Sequence, residues 1–377
     1  MRCWTLLFAL TTVLGCSSKS PPSPLVVGQV ANLSGPGSRA DVQASRGIRL
    51  ALDEVNKDAE RKIIVRHTDT QGKLEAYEAQ AARLVAFNKV VALFGGDAPE
   101  EVVRLDRSRV LAESEQPGFL PVLSPCGRRT PAMSAQVVLA GMTPQAQGKA
   151  LARFAAENLK ITRVTLLVHQ GTTHAEPLTE AFVREFVDAQ KKKEPKTDVM
   201  HPHVLRYGAD KDKLSDRWIS VADRKPEAVL LAGPESDLRW LRDQAKPADQ
   251  KILYGGEDGS LRLDEWLGGP GAIYLASAYG VEKENTAGQD FVEKYRKAFD
   301  EEPDVHAALG FESMKLWAEA LRKAPESESQ RRDELFKIKD FAGLVGPLSF
   351  DDDHRLQRSL VILRLDAAGQ HVFPAKK

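Results

Sequence analysis

The chain has 377 residues, of which 42% are hydrophobic and 28% are charged, and this composition is typical of a soluble globular protein long enough for two cores. Lysine and arginine together number 53, and aspartate and glutamate together also number 53, so the formal net charge is zero. Because there is no basic excess to release counterions, the composition does not suggest a nucleic-acid partner.

The first residues are predicted to form a signal that the mature protein lacks. Arg2 supplies a positive charge, residues 4–13 form an apolar stretch too short to span a bilayer as a helix, and small residues precede Cys16. This pattern is typical of a bacterial lipoprotein signal over residues 1–15, with Cys16 as the lipid attachment site and residues 16–24 as a Ser/Pro-rich tether. The alternative is an ordinary cleaved signal in which Cys16 is incidental.

A lipid anchor predicts a location in the cell envelope, attached to a membrane and facing the periplasm. Ser17 stands after the acylated cysteine, where an aspartate would indicate retention in the inner membrane, and this favours the outer membrane of a Gram-negative cell. Cys3 leaves with the signal and Cys16 carries the lipid, so only Cys126 remains in the mature domain. We therefore expect no internal disulfide.

From residue 25 to about residue 143, predicted strands and helices alternate. Strands are predicted at residues 25–27, 63–65, 90–94 and 119–123. Amphipathic helices lie between them, and the first of these is striped by Ile48, Ala51, Leu52 and Val55. Repeated strand and helix units with short connections imply a parallel, doubly wound α/β sheet, with any ligand site at the carboxyl ends of the strands.

A second run of units begins after Pro144. Strands are predicted at residues 164–168, 228–232, 251–254 and 272–276. Residues 291–323 carry two helices, residues 331–339 a short one, and the end of the chain is predicted to form strands at 361–365 and 371–373. Two α/β lobes follow from this pattern.

Short motifs that occur in order along nearly the whole chain resemble those of one known family. They lie at residues 28–30, 34–36, 46–48, 52–56, 69–72, 93–96, 121–125, 291–299, 307–312, 341–343 and 346–351. In this order they resemble the leucine/isoleucine/valine-binding proteins, which are type I periplasmic solute-binding proteins of ABC importers. The resemblance implies two Rossmann-like lobes, a small polar, amino-acid-like ligand between them, no cofactor, and an ABC permease as partner.

In the family that the chain resembles, the polypeptide crosses between the lobes three times. The crossings would fall near Thr143, Ala278 and Phe341. Lobe 1 would then comprise residues 25–143 plus 279–340, and lobe 2 residues 144–278 plus 341–377. Three hinge strands would allow the lobes to close on a ligand as rigid bodies.

The resemblance also implies candidate ligand contacts in lobe 1. The family holds the ligand carboxylate there with hydroxyl side chains and backbone N–H groups, on loops that correspond to residues 34–40, 96–99 and 124–128. The candidate contacts on these loops are therefore Arg39, Ala98, Pro99, Cys126 and Arg128. This sequence departs from that pattern, because Ala98 and Pro99 stand where hydroxyl residues are usual, Pro99 lacks a backbone donor, and Arg128 replaces a threonine close to Cys126. One interpretation is that the anion site is rebuilt around Arg128 or Arg39, because a guanidinium can hold a carboxylate with two hydrogen bonds. The alternative is that Arg128 and Arg129 are solvated loop residues.

In lobe 2 the family uses an acidic residue to hold the ligand ammonium, and Glu257 falls at that position. The alternative is a plain Asp-Gly turn just after Glu257 that needs no ligand. Three further residues are candidates for the cleft. His174 stands where an aromatic residue is usual, Glu235 follows another strand end, and Tyr279 lies near the second crossing, where a buried hinge tyrosine is equally compatible.

The motifs of common enzymes are missing from the sequence, so we do not expect an enzyme. No nucleophile elbow, phosphate-binding Walker loop or HExxH zinc motif occurs. His201 and His203 have no carboxylate or cysteine at a suitable spacing, so no metal site is predicted. The preferred function is solute capture by hinge closure for an ABC importer. The alternative is a non-transport envelope lipoprotein that uses the same fold to sense a ligand or to bind and regulate a partner protein.

Overall fold

A computed structural model describes residues 22–112, 120–125, 127–193, 200–208, 211–245, 251–256, 266, 271–282, 284–324 and 327–374. The strands, in chain order, are β1 Leu25–Ala31, β2 Ile63–Asp69, β3 Leu93–Gly95, β4 Val122–Ser124, β5 Val137–Leu139, β6 Val164–His169, β7 His203–Tyr207, β8 Ala228–Ala232, β9 Lys251–Gly255, β10 Ala272–Ser277, β11 Phe341–Ala342, β12 Pro347–Phe350, β13 Leu356–Arg358, β14 Val361–Asp366 and β15 Gly369–Pro374. The helices are α1 Arg39–Val55, α2 Leu74–Asn88, α3 Pro99–Ala112, α4 Pro144–Arg153, α5 Ala175–Lys193, α6 Lys211–Arg224, α7 Glu235–Ala245, α8 Thr286–Phe299, α9 Val305–Lys323 and α10 Glu328–Phe336. Across these ranges, no helix has both the length and the apolar character needed to cross a membrane.

The strands form two large sheets. The first sheet has five strands in the order β2-β1-β3-β4-β5, and every neighbouring pair is parallel. The second has seven strands in the order β15-β14-β10-β9-β8-β6-β7, in which β14 and β15 are antiparallel and the other five strands are mutually parallel. The prediction of an α/β fold with doubly wound parallel sheets is therefore confirmed. In both sheets the strand order reverses next to the first strand, at β1 and at β6, and crevices at such points are where open α/β sheets bind ligands.

The first sheet packs on a helical layer in which α1 and α9 lie very close together. A Cβ atom built on Gly47 of α1 would lie 1.9 Å from the carbonyl oxygen of Ala307, and one built on Gly310 of α9 would lie 2.2 Å from that of Ala44. Because neither glycine has a side chain, the backbones of the two helices can come into direct contact. This contact fixes the N-terminus of α9, which lies at the edge of the cavity described below.

A third, small sheet of β11, β12 and β13 joins the two large ones. Its side chains Leu348 and Phe350 belong to the hydrophobic core that covers the first sheet, together with Leu344. By contrast, Leu360 and Ile362 belong to the core of the second sheet. Leu348 and Phe350 therefore pack with the first sheet, and Leu360 and Ile362 with the second, while the positions of the crossings and the lobe boundaries stay a prediction.

Candidate functional site

A cavity of about 250 Å³ lies where the carboxyl ends of β3, β4 and β5 face the second sheet. The first sheet contributes residues 97–100, residues 125, 127 and 128, and residues 141–142. The remaining wall comes from His174 before α5, Ala278 after β10, and the first turns of α9. We call this cavity the cleft. Its position at the strand ends agrees with the general rule for ligand sites in parallel sheets.

The loop between β3 and α3 forms one wall of the cleft, and two of its backbone donors are already in use. The carboxylate of Glu101 accepts hydrogen bonds from the backbone N–H groups of Asp97, at 2.9 Å, and Ala98, at 3.1 Å. Pro99, the first residue of α3, has no N–H group. Burial raises the pKa of Glu101, and the nearby carboxylate of Asp97 acts in the same direction.

Two consecutive arginines follow β4, and the structure gives them different positions. Arg128 lines the cleft. The guanidinium of Arg129 instead donates hydrogen bonds to the backbone carbonyls of Ser134, at 2.9 Å, and Val137, so it holds the loop that leads into β5. Of the two, only Arg128 is therefore placed to meet a ligand in the cleft.

The second sheet contributes His174, whose side chain is only 3% exposed. Its Nε2 atom lies 2.8 Å from the side-chain oxygen of Gln147, a fully buried residue of α4. Because that oxygen can only accept, Nε2 carries the proton and donates. The contact fixes the orientation of the imidazole ring at the wall of the cleft.

His306 and Asp97 form a pair that sequence reasoning missed. His306, in the first turn of α9, lies with its Nδ1 atom 3.5 Å from a carboxylate oxygen of Asp97, and both residues line the cleft. The N-terminus of α9 is held by Asp304, whose carboxylate accepts from the backbone N–H groups of His306, at 3.0 Å, and Ala307, at 3.1 Å. The Asp304 cap is visible in the sequence, but the approach of residues 97 and 306 is a tertiary contact that no local pattern reveals.

Behind the β3–α3 loop lies a buried carboxylic acid, Asp41 of α1, which is 5% exposed. It accepts hydrogen bonds from the backbone N–H of Asn32, at 2.6 Å, and from the hydroxyl of Tyr77, at 3.3 Å. Burial, reinforced by the negative charges of Asp97 and Glu101, raises the pKa of Asp41 to about 7.

Comparison with known proteins agrees with this geometry. The model of the periplasmic binding protein family matches residues 24–370. The chain belongs to the periplasmic binding protein family.

Among solved structures, the branched-chain amino acid transporter substrate-binding protein LivJ from Streptococcus pneumoniae, in complex with isoleucine, superimposes with a TM-score of 0.72 at 20% identity, covering 94% of this chain and 100% of that one. A solute-binding protein of an ABC transporter from Rhodopseudomonas palustris BisB5, in complex with 3,4-dihydroxybenzoic acid, gives 0.69 at 18% identity, with 94% and 98% covered. An ABC transporter substrate-binding protein from Desulfitobacterium hafniense, in complex with Leu, gives 0.71 at 16% identity, with 93% and 100% covered.

These likenesses confirm the predicted type I periplasmic binding protein fold. The family consists of extracytoplasmic proteins that bind solutes and are not enzymes, so the prediction of a binding protein without enzymatic activity is confirmed. In the described part of this periplasmic binding protein, no group of three or more His, Cys, Asp or Glu side chains is arranged to hold a metal ion.

Four of the predicted site residues of this periplasmic binding protein come together in the cleft, namely Ala98, Pro99, Arg128 and His174. They come from two loops of the first sheet and one of the second, as the resemblance implied. The role of each residue in binding stays a prediction.

Two other predicted residues do not line the cleft. Arg39 begins α1, its side chain is 57% exposed, and its guanidinium lies 3.7 Å from the carboxylate of Asp304. Tyr279 packs edge-on against the ring of Phe291, with 5.9 Å between ring centroids, and burial raises the pKa of its hydroxyl. Both therefore support the fold beside the cleft, and Tyr279 fits the alternative of a buried hinge tyrosine.

Glu235 also lies away from the cleft, in the first turn of α7. Its carboxylate pairs with Arg239 one turn later and accepts a hydrogen bond from the indole N–H of Trp266, at 3.3 Å. The remaining predicted positions, Glu257, Cys126 and the lipid-bearing Cys16, lie outside the described residues.

Proposed function

We propose that this periplasmic binding protein captures a small polar solute bearing a carboxylate, of the amino-acid kind, in the cleft between its two sheets and delivers it to an ABC permease. The observation that carries the proposal is that Arg128 and His174, from different sheets, line one cavity at the strand ends. Structural neighbours bind isoleucine, Leu and 3,4-dihydroxybenzoic acid, all of which carry a carboxylate.

In this proposal Arg128 receives the ligand carboxylate. A guanidinium presents a planar pair of donors that matches a carboxylate, and such charge-assisted pairs are stronger than neutral hydrogen bonds. His174, held by Gln147, meets the ligand from the other side. Glu257 would bind the ammonium group of an amino acid, as the resemblance implies. Closure of the lobes over the ligand would place all three groups around it.

We further propose that Cys16 carries the lipid and that residues 17–24 form the tether, so the protein stays at the membrane near its permease. The sequence pattern around Cys16 supports this anchor. A tether raises the local concentration of the loaded protein at the membrane surface, in the same way as any linked binding partner.

The alternative function is a non-transport envelope lipoprotein that senses a ligand or regulates a partner protein. One observation favours it, which is that Glu101 already accepts from two backbone N–H groups of the β3–α3 loop, those of Asp97 and Ala98. If Arg128 does not replace those donors, the cleft has lost its means of holding an anion, and the fold would serve another purpose.

A thermal-shift screen followed by calorimetry tests the proposal with leucine, isoleucine, benzoate and 3,4-dihydroxybenzoate. A compound that binds only the folded state must raise the melting temperature. For any compound that does so, Arg128→Ala should weaken binding by about tenfold or more, since a hydrogen bond to a charged group contributes about 1.5–3 kcal/mol. Arg39→Ala removes the same charge outside the cleft and should leave the affinity unchanged. If no compound shifts folded, ligand-free protein, the regulatory alternative is favoured.

A further inference from the structure

The β3–α3 loop gives the cleft an acidic wall. Asp97 and Glu100 line the cavity directly, and Glu101 lies behind them with its carboxylate on the backbone N–H groups of Asp97 and Ala98. The N–H groups at a helix N-terminus attract anions when they are free. Here the carboxylate of Glu101 accepts from two N–H groups at the start of α3 and adds its own negative charge.

Among the described lining residues, Arg128 is the only arginine or lysine. His174 and His306 also line the cleft, and each is cationic only when protonated. One carboxylate of a ligand can therefore be neutralised at Arg128. A second anionic group would face Asp97, Glu100 and Glu101 without a fixed positive charge to compensate it, and like charges at short range repel.

We propose that Glu101 is a specificity-determining residue, which restricts the cleft to ligands with a single carboxylate and rejects dicarboxylates and phosphate esters. This inference rests on the proposed function, in which Arg128 receives the ligand carboxylate. Glu101 is a positioning residue, because it acts through the backbone of Asp97 and Ala98 and through its charge.

The charge on Glu101 depends on pH, so the discrimination against dicarboxylates should depend on pH as well. The groups that face Glu101 are Asp97 in its own loop, Asp41 on α1 and Tyr77 on α2. Burial raises the pKa of the Glu101 carboxyl. As the pH falls through that raised value, Glu101 becomes neutral and its repulsion of a second anionic group is lost. The discrimination against dicarboxylates should therefore be larger at pH 8 than at pH 5.

The test compares ligand pairs that differ by one carboxylate, benzoate with phthalate and leucine with glutamate, by calorimetry at both pH values. Glu101→Gln keeps a side-chain oxygen that can accept from the same N–H groups but removes the charge. It should lower the ratio of the two dissociation constants at pH 8 by about tenfold, the order expected for a charge several ångströms away at a partly buried site. The change in that ratio between pH 5 and pH 8 should also become smaller than in the wild type, and the part that remains is due to Asp41, whose pKa of about 7 lies in the same interval.

Glu75→Gln is the matched control, since Glu75 is an exposed residue of α2 in the same layer of helices and away from the cleft. It should reproduce the wild-type ratio at both pH values. If Glu101→Gln also reproduces it, while the monocarboxylates bind, the inference is wrong and the proposed function stands.

A second measurement needs no ligand. In TROSY spectra of the full chain, the amide signals of Asp97 and Ala98 should shift with the ionisation of the Glu101 carboxyl in the wild type. Glu101→Gln should remove that part of the shift and leave the part that comes from the carboxyls of Asp97 and Asp41. The same pH response in the wild type and in Glu101→Gln would show that Glu101 does not hold the loop, which overturns the inference. If these amides do respond to Glu101 and no probe binds to any variant, the proposed carboxylate site is wrong. The proposed selectivity then fails because it depends on that site, while the contact between Glu101 and the loop still stands.

Discussion

Replacing Asp41 with asparagine should change how the stability of the protein depends on pH. Asp41 is buried in α1 and accepts hydrogen bonds from the backbone N–H of Asn32 and the hydroxyl of Tyr77. An asparagine side chain at this position would have nearly the same shape and one oxygen that can still accept, but it cannot ionise. The substitution therefore removes a titration with little change in packing.

The direction and size of the effect follow from the pKa of Asp41, which burial raises from 3.8 to about 7. The folded protein binds a proton that the unfolded chain has lost between those two values, so the free energy of unfolding falls as the pH rises from about 4 to about 7. Each unit of pKa corresponds to about 1.4 kcal/mol, so Asp41 alone should reduce stability by up to about 4 kcal/mol across this interval. Below about pH 4 Asp41 is mostly protonated in both the folded and the unfolded chain, so this loss of stability is absent there.

Urea denaturation at pH 4.5, 6.0 and 7.5 measures this dependence for the wild type and Asp41→Asn. Other titrating groups contribute to both proteins, so the difference between their free energies of unfolding isolates Asp41. As the pH rises, the free energy of unfolding of Asp41→Asn should increase relative to that of the wild type by up to about 4 kcal/mol. Asp53→Asn, an exposed position on the same helix, should follow the wild type. Parallel curves for the wild type and Asp41→Asn would show that Asp41 is ionised throughout and that the reasoning from burial is wrong.

Two further substitutions test the packing behind the cleft. Gly310→Ala should lower the free energy of unfolding by about 1–3 kcal/mol in urea titrations, because its Cβ would meet the carbonyl oxygen of Ala44, whereas Gly208→Ala has open space and should have little effect. Equal stabilities for these two variants would contradict the close helix contact. Arg358→Met should cost about 3–5 kcal/mol by the same assay, because it leaves Glu312 buried without its ion-pair partner. Adding Glu312→Leu should recover much of that loss, and a further loss instead would argue against the pair.

The fold was predictable because its signals are local and repeated. Each strand and helix unit shows its own periodicity, as Ile48, Ala51 and Val55 of α1 do, and all three are buried in the structure. Units of this kind in series leave few topologies open, since parallel connections are right-handed and short. The contact between α1 and α9 was not predictable in the same way, because Gly47 and Gly310 are ordinary glycines until the two helices are placed together.

The cleft was predictable only in part, because charge at a strand end does not say where a side chain will point. Arg128 and Arg129 are adjacent in sequence, yet the second donates to backbone carbonyls of its own loop. Glu235 follows a strand as a ligand contact would, but Arg239 stands four residues later on the same helix, and this spacing predicts the salt bridge that the structure contains. That spacing was a usable signal against Glu235 as a site residue.

A buried ion pair behind the cleft explains how the walls of the cleft keep their shape. The buried pair of Glu312 and Arg358 joins α9 to β13, with 2.9 Å between the charged atoms, and Arg358 also reaches the carbonyl oxygen of Ala278, which lines the cleft. The second oxygen of Glu312 accepts from the backbone N–H of Leu344 at 2.7 Å. A buried ion pair adds little net stability compared with apolar residues of the same size. Its contribution here is to position, because one pair of side chains ties a cleft residue to α9, to the small sheet, and to the segment that leads into β12.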